Sequence, residues 1–501
     1  MVEEMRDNKI SKKTISETLF VFESVYNDLL EAGIENDTQV NVRVAKIFGE
    51  TRIRLMYQGE VYVPVSGNVE TTEDIIMQAF ADKIHHSYFN GYNNIYITVQ
   101  REYSRALFQG FAALALGIVV YAILRFITGQ EFMQNLDDKI IFPLEVAYAN
   151  CVLMVGAPVT FFSLLSHVFN AYIASGSARM RRIQFGAIVS SIFAIVLATV
   201  MSALLSSLLY VGLKGLWLSE ELSVNVAIDE LIKSLVPTSI FSPFDTLAPF
   251  PLILLTLLTA FALCSSGEYF EKMKGFIDAG YALFSRMLTA VVYVSPLFCF
   301  LAIIDMLIDA GVEVTAWMVL GFILIMFSTV VLIVFYFIRL DAGGVKIKPF
   351  VGKLGTLLRE NLSINSSIDA VPFNIRYCTI EYGMNKEIVK EQLPILAQIN
   401  LDGNCYYITL TAMTMVLASG GTLSWFQVVA VGLLVLMLSL GAPNQPGSCL
   451  IGMVIIINYM DVPDFVPVAI LTELLLGSWQ NLINVFGDIV AVAIDDAKSK
   501  S

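Results

Sequence analysis

Two stretches in the last third of the chain, 363–372 (SINSSIDAVP) and 440–447 (LGAPNQPG), set serines, asparagines, prolines and a carboxylate inside otherwise apolar sequence. Backbone that leaves helical pairing inside hydrocarbon strands polar groups at several kcal/mol each, so broken segments persist only where they line a protein cavity. The surrounding sequence sets that cavity in a membrane. Runs at 106–127, 141–165, 187–211, 247–263, 291–307 and 316–337 reach or approach the roughly 18–20 apolar residues that cross a bilayer. Further apolar blocks towards the C-terminus raise the expectation to about eight transmembrane helices beside the two broken segments.

Composition agrees with this reading. Of 501 residues, 56% are hydrophobic and 15% charged, and the mean hydropathy is +0.70; soluble domains are about 45–50% apolar and 25% charged. The expected class is an α-helical polytopic protein of the cell membrane, multi-pass and in contact with the lipid bilayer. A net charge of −13 gathers in the loops and the N-terminal region and reads as solubility. No basic, aromatic-interleaved patch is present, which excludes nucleic acid as a partner. Arg179, Arg181 and Arg182 follow the second span, and Arg339, Lys346, Lys348 and Lys353 follow the sixth, marking both links as cytoplasmic. The acid-rich links 131–138 and 461–464 then face outward, and both termini are expected in the cytoplasm, with no cleavable leader. Cys151, Cys264, Cys299, Cys378, Cys405 and Cys449 are scattered without a CxxC pair and read as buried thiols. No GxxxxGK[ST] loop, HExxH helix or nucleophile–base pair can be assembled, so neither ATP-driven transport nor an enzyme is expected, and no cofactor.

Residues 1–105 read as a small cytoplasmic α/β domain. Leu19, Phe22, Val25, Leu29 and Leu30 carry helical periodicity over 15–32, while 39–44, 53–57 and 94–100 alternate as half-buried strands, and a second helix is expected at 72–86. Glu23 with Asn27 faintly resembles the metal-and-nucleotide helix of the histidine-kinase-type ATPase fold, without that fold's glycine-rich Asp motif. A degenerate, non-hydrolysing relative and an unrelated regulatory module both stay open. His85 and His86 read as surface histidines, and His167 as a packing residue near the membrane interface.

Two polar knots carry the chemistry. Within the apolar run 393–417 stands Gln398-Ile399-Asn400-Leu401-Asp402-Gly403-Asn404, and near the end Asn481-Leu482-Ile483-Asn484-Val485-Phe486-Gly487-Asp488 repeats the theme. An intramembrane carboxylate is costly enough to mark function. Asn484 and Asp488 are four apart and project from one helix face. Two carboxylates with carbonyls from unwound backbone would supply the oxygen shell that a hard cation needs.

With these residues in view, the chain resembles the dicarboxylate/amino acid:cation symporter family, the glutamate-transporter homologues, over roughly 106–496. Ser366-Ser367 before Pro372 resembles the serine-rich tip of the family's first re-entrant hairpin, and Gly441 to Gly447 the tip of the second. Asn400 to Asn404 is similar to the family's unwound Asn-Met-Asp-Gly-Thr, Asn484 to Asp488 to its Asn-Val-Thr-Gly-Asp, and Leu235 to Phe241 to its Val-Pro-Thr-Asn stretch before the fourth span. The resemblance implies a symporter domain at 106–496, a cytoplasmic tail at 497–501, eight transmembrane helices with two re-entrant hairpins, and a homotrimer of independent elevators. It implies a coupling cation, Na⁺ or H⁺, with a Na⁺ site at Asp488, Asn484 and Asn400 aided by the Leu396 carbonyl. A second cation would meet carbonyls around Ser439 and Ala442, and a third Asp402 with Ser190 and Ser191. Substrate would lie among Ser366, Ser367, Asp369, Asn404, Gly441, Gln445, Gly477, Gln480, Asn481 and Asn484.

Departures from the family pattern concern the substrate. Gln480 stands where an Arg pairs with a side-chain carboxylate, Gly477 where an Asp holds the amine, and Asn365 where some relatives place the Arg. Losing the guanidinium fork removes roughly 1.5–3 kcal/mol of charged hydrogen bonding to a second carboxylate. Asp369 either replaces the missing amine partner or caps its helix. The function expected is cation-driven uptake of a small organic solute, a carboxylate or amino acid, with one anionic group held at the hairpin-tip helix N-termini. The alternative is a transport-dead membrane sensor of the same fold that signals to residues 1–105.

Overall fold

The computed structural model describes residues 3, 5, 12–31, 38–47, 50–59, 84–89, 92–101, 103–213, 236–245, 249–265, 270–364, 366–443, 445–460 and 462–500. The chain divides into two compact units, Met1–Ala106 and Leu107–Ser501.

In the first unit, alternating apolar residues build a four-stranded antiparallel sheet of order β1-β2-β4-β3, from β1 (Asn41–Ile47), β2 (Glu50–Gln58), β3 (Ile84–Phe89) and β4 (Tyr92–Arg101). Ile53, Leu55 and Tyr57 of β2 and Ile95, Ile97 and Val99 of β4 recur every second residue and are buried on one face. Helix α1 (Lys12–Glu31) brings Ile15, Val21, Val25 and Leu29 into the same core at helical spacing. Its Glu23 and Asn27 lie on the exposed side. The helix expected over 72–86 is corrected at its end: His85 and His86 belong to strand β3, paired with Tyr96 and Ile95, and 60–83 lies outside the described residues.

The second unit is helical throughout. Helices α2 (Tyr103–Ile127) and α3 (Gln130–Leu136) are followed by a π turn (Asp137–Ile141) that leads directly into α4 (Phe142–Ala174). Next come α5 (Ala178–Leu213), the short α6 (Ser242–Asp245), α7 (Pro249–Cys264), α8 (Phe270–Tyr293), α9 (Ser295–Asp309) and α10 (Gly311–Ala342). Then follow α11 (Ile347–Ile364), α12 (Ser367–Ile380), α13 (Lys386–Ile399), α14 (Asp402–Ala418), α15 (Trp425–Leu440), α16 (Ser448–Met460) and α17 (Val466–Lys500). Among the described residues, six helices are long and apolar enough to cross a membrane. In the most apolar stretch of α17, 78% of residues are buried, against 11% in α2 and in α8, so α17 is central and the other two peripheral. Helix α14 is buried nearly all round, between α5 and α17.

Both polar stretches interrupt helices. Helices α11 and α12 part at 365–366, and α15 and α16 at 441–447, where Pro443 and Pro446 lack the N–H needed to continue the ladder and Gly447 turns with φ +98°. At 13 residues α16 is only about 20 Å long, short of a ~30 Å core. The span expected at 291–307 is corrected: the helix breaks at Val294, because Pro296, at the start of α9, removes the N–H that would continue α8. The segment 497–500, expected as the start of a tail, is helical. Helix α17 runs on to Lys500, whose Nζ lies 2.7 Å from Asp496 one turn back.

Candidate functional site

The site is organised by the loss of helix between α13 and α14. Asn400 (φ −97°, ψ 74°) and Leu401 (φ −104°, ψ 53°) leave helical geometry, and α14 restarts at Asp402. Its first turn presses on α17, since a Cβ added to Gly403 would lie 2.1 Å from the Gln480 carbonyl oxygen. Asn484 of α17 caps that turn: its Oδ1 accepts from the backbone N–H groups of Gly403 at 2.7 Å and Asn404 at 3.3 Å.

Asp402 is fully buried and accepts three hydroxyls, from Ser190 at 2.6 Å, Ser191 at 2.9 Å and Tyr336 at 2.8 Å. Arg339 Nη1 donates to the Ser190 hydroxyl at 2.7 Å, so a guanidinium stands behind that carboxylate. Asp488, also buried, accepts from Asn400 Nδ2 at 2.9 Å. A Cβ on Gly487 would meet Asn400 Nδ2 at 2.9 Å, the Tyr336 hydroxyl at 3.0 Å and Asp402 Oδ2 at 3.2 Å. Both carboxylates therefore border the same unwound turn. The Leu396 carbonyl accepts the Asn400 N–H at 2.8 Å at the end of α13.

Beside them lies a small cavity of about 10 Å³, room for one water-sized group. Of the expected substrate residues it is lined by Asn404, Gln445, Gly477, Gln480, Asn481 and Asn484, joined by Pro446, Ser448 and Glu473. Gln480 Nε2 and Asn484 Nδ2 both donate to Asn404 Oδ1, at 2.7 and 2.8 Å. Among the described residues, Asn404 Nδ2, Asn481 Nδ2 and Gln480 Oε1 are buried without a partner, two donors and one acceptor on lining residues. Such orphans are rare in native interiors and suit a small ligand offering both an acceptor and a donor. Ser366 and Ser367 are buried outside the lining, with Ser367 donating to Asn481 Oδ1 at 2.7 Å. Asp369 falls within α12, its side chain outside the description.

The second broken segment is held by side chains of two other helices. The Leu440 carbonyl accepts from His167 Nδ1 at 2.8 Å, that of Ala442 from Ser163 at 3.0 Å and that of Pro443 from Tyr281 at 2.7 Å. The Ser439 carbonyl accepts the Ala442 N–H at 3.0 Å. Carbonyls of this segment, those of Ser439 and Ala442 expected to meet a second cation among them, accept protein donors here, because the tip rests on α4 and α8. Gly441 fits there only without a Cβ, which would lie 2.9 Å from Thr160 Cγ2. His167, read from sequence as packing, is fully buried at that contact. The first turn of α16 is also not free for an anion: Glu473 accepts the N–H groups of Gly447 at 2.8 Å and Leu450 at 3.0 Å. Glu473 and Tyr336 were missed in the sequence, and Arg339, read there only as a residue of a cytoplasmic link, lies within α10; the rule that flagged Asp488, an ionisable residue in an apolar run, applies equally to Glu473.

A family model described as the sodium:dicarboxylate symporter family matches residues 106–497. Among curated proteins, excitatory amino acid transporter 3 of Mus musculus is 31% identical over 176 residues, 34% of this chain and 33% of its own length. Excitatory amino acid transporter 1 of Mus musculus is 23% identical over 259 residues, 50% of this chain and 47% of its own length. The chain thus matches between a third and about half of the length of these relatives.

Proposed function

The chain belongs to the sodium:dicarboxylate symporter family, and on that premise we propose that it is a secondary symporter in which an inward cation gradient, Na⁺ or H⁺, drives uptake of a small organic solute. The observation that carries the proposal is the pair of buried carboxylates, Asp402 and Asp488, bordering one unwound turn. In hydrocarbon, buried charge of that kind needs a counter-cation. Asp488 is met by the neutral amide of Asn400, which makes it the primary cation ligand, with Asn484 and Asn400 beside it. Asp402 differs, because Arg339 behind Ser190 already supplies positive charge.

The solute would be a carboxylate or amino acid held among Asn404, Gln480, Asn481 and Asn484. Gln480 offers an amide where a guanidinium would favour a second carboxylate, and Glu473 sets a negative charge at the α16 N-terminus. Both favour a zwitterion over a dianion. The α11–α12 and α15–α16 pairs would act as re-entrant hairpins. As gates, they would travel with α5, α10, α13, α14 and α17 past a scaffold of α2, α4 and α7–α9 in an elevator motion, within a homotrimer. The transport-inactive receptor reading draws on the tip carbonyls held by His167, Ser163 and Tyr281.

Counterflow in proteoliposomes, with amino acids and dicarboxylates loaded inside and Na⁺ or a pH step outside, separates the two. Cation-dependent exchange of a zwitterionic amino acid is expected. Saturable binding with no exchange under any gradient would leave the receptor reading standing instead.

A further inference from the structure

Away from this site, four carboxylates meet with no base among them. Asp137 lies in the π turn ahead of α4 and Glu145 two turns further on, while Asp305 and Asp309, four apart, share one face of α9. One carboxylate oxygen each from Asp137, Asp305 and Asp309 lie within 4.8 Å of one another. Glu145 is 0% exposed, its carboxylate is within hydrogen-bonding reach of that of Asp305, and among the described residues no amide, hydroxyl or basic group donates to either of its oxygens. Asp137 Oδ1 and Asp305 Oδ1 are likewise buried without such a donor among the described residues. Carboxylates here face one another. Among the described residues, no Lys, Arg or His forms an ion pair with any of the four, and the neighbouring Asp138 and Asp464 add further negative charge.

Ile141, Ile303, Ile304 and Leu307, from the same two segments, pack as an apolar cluster, and four carboxylates ionised in such surroundings repel unless a cation joins them. We propose that Asp137, Glu145, Asp305 and Asp309 form a binding site for a hard divalent cation, Ca²⁺ ahead of Mg²⁺, stapling the α3–α4 turn to α9. The donor set is oxygen only, which suits Ca²⁺ or Mg²⁺ and disfavours soft transition metals. Ca²⁺ accepts an irregular shell of protein carboxylates, whereas Mg²⁺ demands near-ideal octahedral geometry and keeps several of its waters, so an all-protein carboxylate cluster favours Ca²⁺. Asp309 is exposed and opens the cluster to water, giving the ion an entry path. The π turn bearing Asp137 belongs to a rare class of helical bulge found disproportionately at functional sites.

The test uses the purified full chain in detergent after chelator treatment. Added CaCl2 is expected to raise the melting temperature saturably, MgCl2 to do so only at about tenfold higher concentration, and Tb³⁺ luminescence to appear and be displaced by Ca²⁺. Glu145→Gln with Asp305→Asn is expected to abolish the Ca²⁺ response. Without Ca²⁺ that variant should melt no lower than the chelated wild type, because two buried negative charges are gone. Should the double variant not fold, Asp309→Asn, at the exposed edge, is expected to weaken Ca²⁺ about tenfold in a folded protein. A wild type that ignores Ca²⁺ and Tb³⁺ and is stabilised only by lowering pH would overturn the proposal, since protons then join the carboxylates. Undiminished Ca²⁺ stabilisation in these variants would overturn it as well.

Discussion

At Asp402 and Asp488 the same buried carboxylate chemistry is balanced in two ways. Asp488 receives the neutral amide of Asn400, so Asp488→Asn should remove the charge that holds the coupling ion and leave a side chain of the same shape. Wild-type protein at a Na⁺ concentration 100 times its Kd gains about 2.7 kcal/mol, seen as a rise in melting temperature; the variant should show none, while its oligomer survives. Undisturbed Na⁺ stabilisation would remove Asp488 from the ion site. For Asp402 the balancing charge is resident, through Arg339 and Ser190. Arg339→Gln should lower the melting temperature in Na⁺-free buffer and make the protein more responsive to Na⁺, because the ion then replaces the guanidinium. A parallel drop with and without Na⁺ would mean that Arg339 only packs. On the proposed function, Glu473 would act on the solute instead. Glu473→Gln keeps an acceptor for Gly447 but removes the charge from the α16 N-terminus, so competition by mono-anionic carboxylates should strengthen about tenfold, the worth of one charged hydrogen bond. Unchanged competition would place the anionic end of the solute elsewhere.

Among the elements, the contact between α14 and α17 sets the site, and it depends on a missing side chain. Gly403→Ala would place a methyl 2.1 Å from the Gln480 carbonyl; backbone cannot yield as a flexible side chain can, so a loss of about 1–3 kcal/mol is expected from overpacking. Gly355 on α11 has nothing within 4 Å of an added Cβ. Ala there should be neutral or gain up to about 1 kcal/mol of helix propensity. Chemical denaturation of both variants checks the pair, and equal stability would remove the steric role given to Gly403. This contact was half legible in sequence. The run Asn400 to Asn404 announces an interruption because its polarity breaks an apolar stretch locally, and Asn484 and Asp488 share a face by spacing alone. What α14 touches was not readable, since the Gly403–Gln480 approach joins residues 77 positions apart (480 − 403) through packing that no local pattern encodes. The break at Val294 was hidden for another reason. Apolar composition runs across it, and Pro296 alone signals it.

Across the whole molecule the two units draw on different kinds of sequence information. Period-two alternation in β2 and β4 and the apolar face of α1 make the first unit's core legible in the sequence itself, whereas the second unit's apolar helices look alike in sequence and are sorted into central and peripheral only by tertiary burial. The acidic cluster of Asp137, Glu145, Asp305 and Asp309 was not assembled in the sequence because its members come from segments about 160 residues apart (305 − 145 = 160), although Glu145 in the run 141–165 and Asp305 in the run 291–307 each place a carboxylate in apolar sequence. Because the first unit buries Ile53, Leu55, Ile95 and Ile97 in a core of its own, and the proposed cation and solute residues all lie in the second, the proposed transport should not require it. A chain begun at Tyr103, the first residue of α2, should insert, assemble and exchange solute within about twofold of the full chain, as expected for separately cored domains. Proteoliposome counterflow on both proteins, normalised to folded oligomer, measures this. Exchange lost in a truncated protein that still binds solute and Na⁺ would show that residues 1–102 are needed for the moving step, and would turn attention from the buried site to how the first unit acts on it.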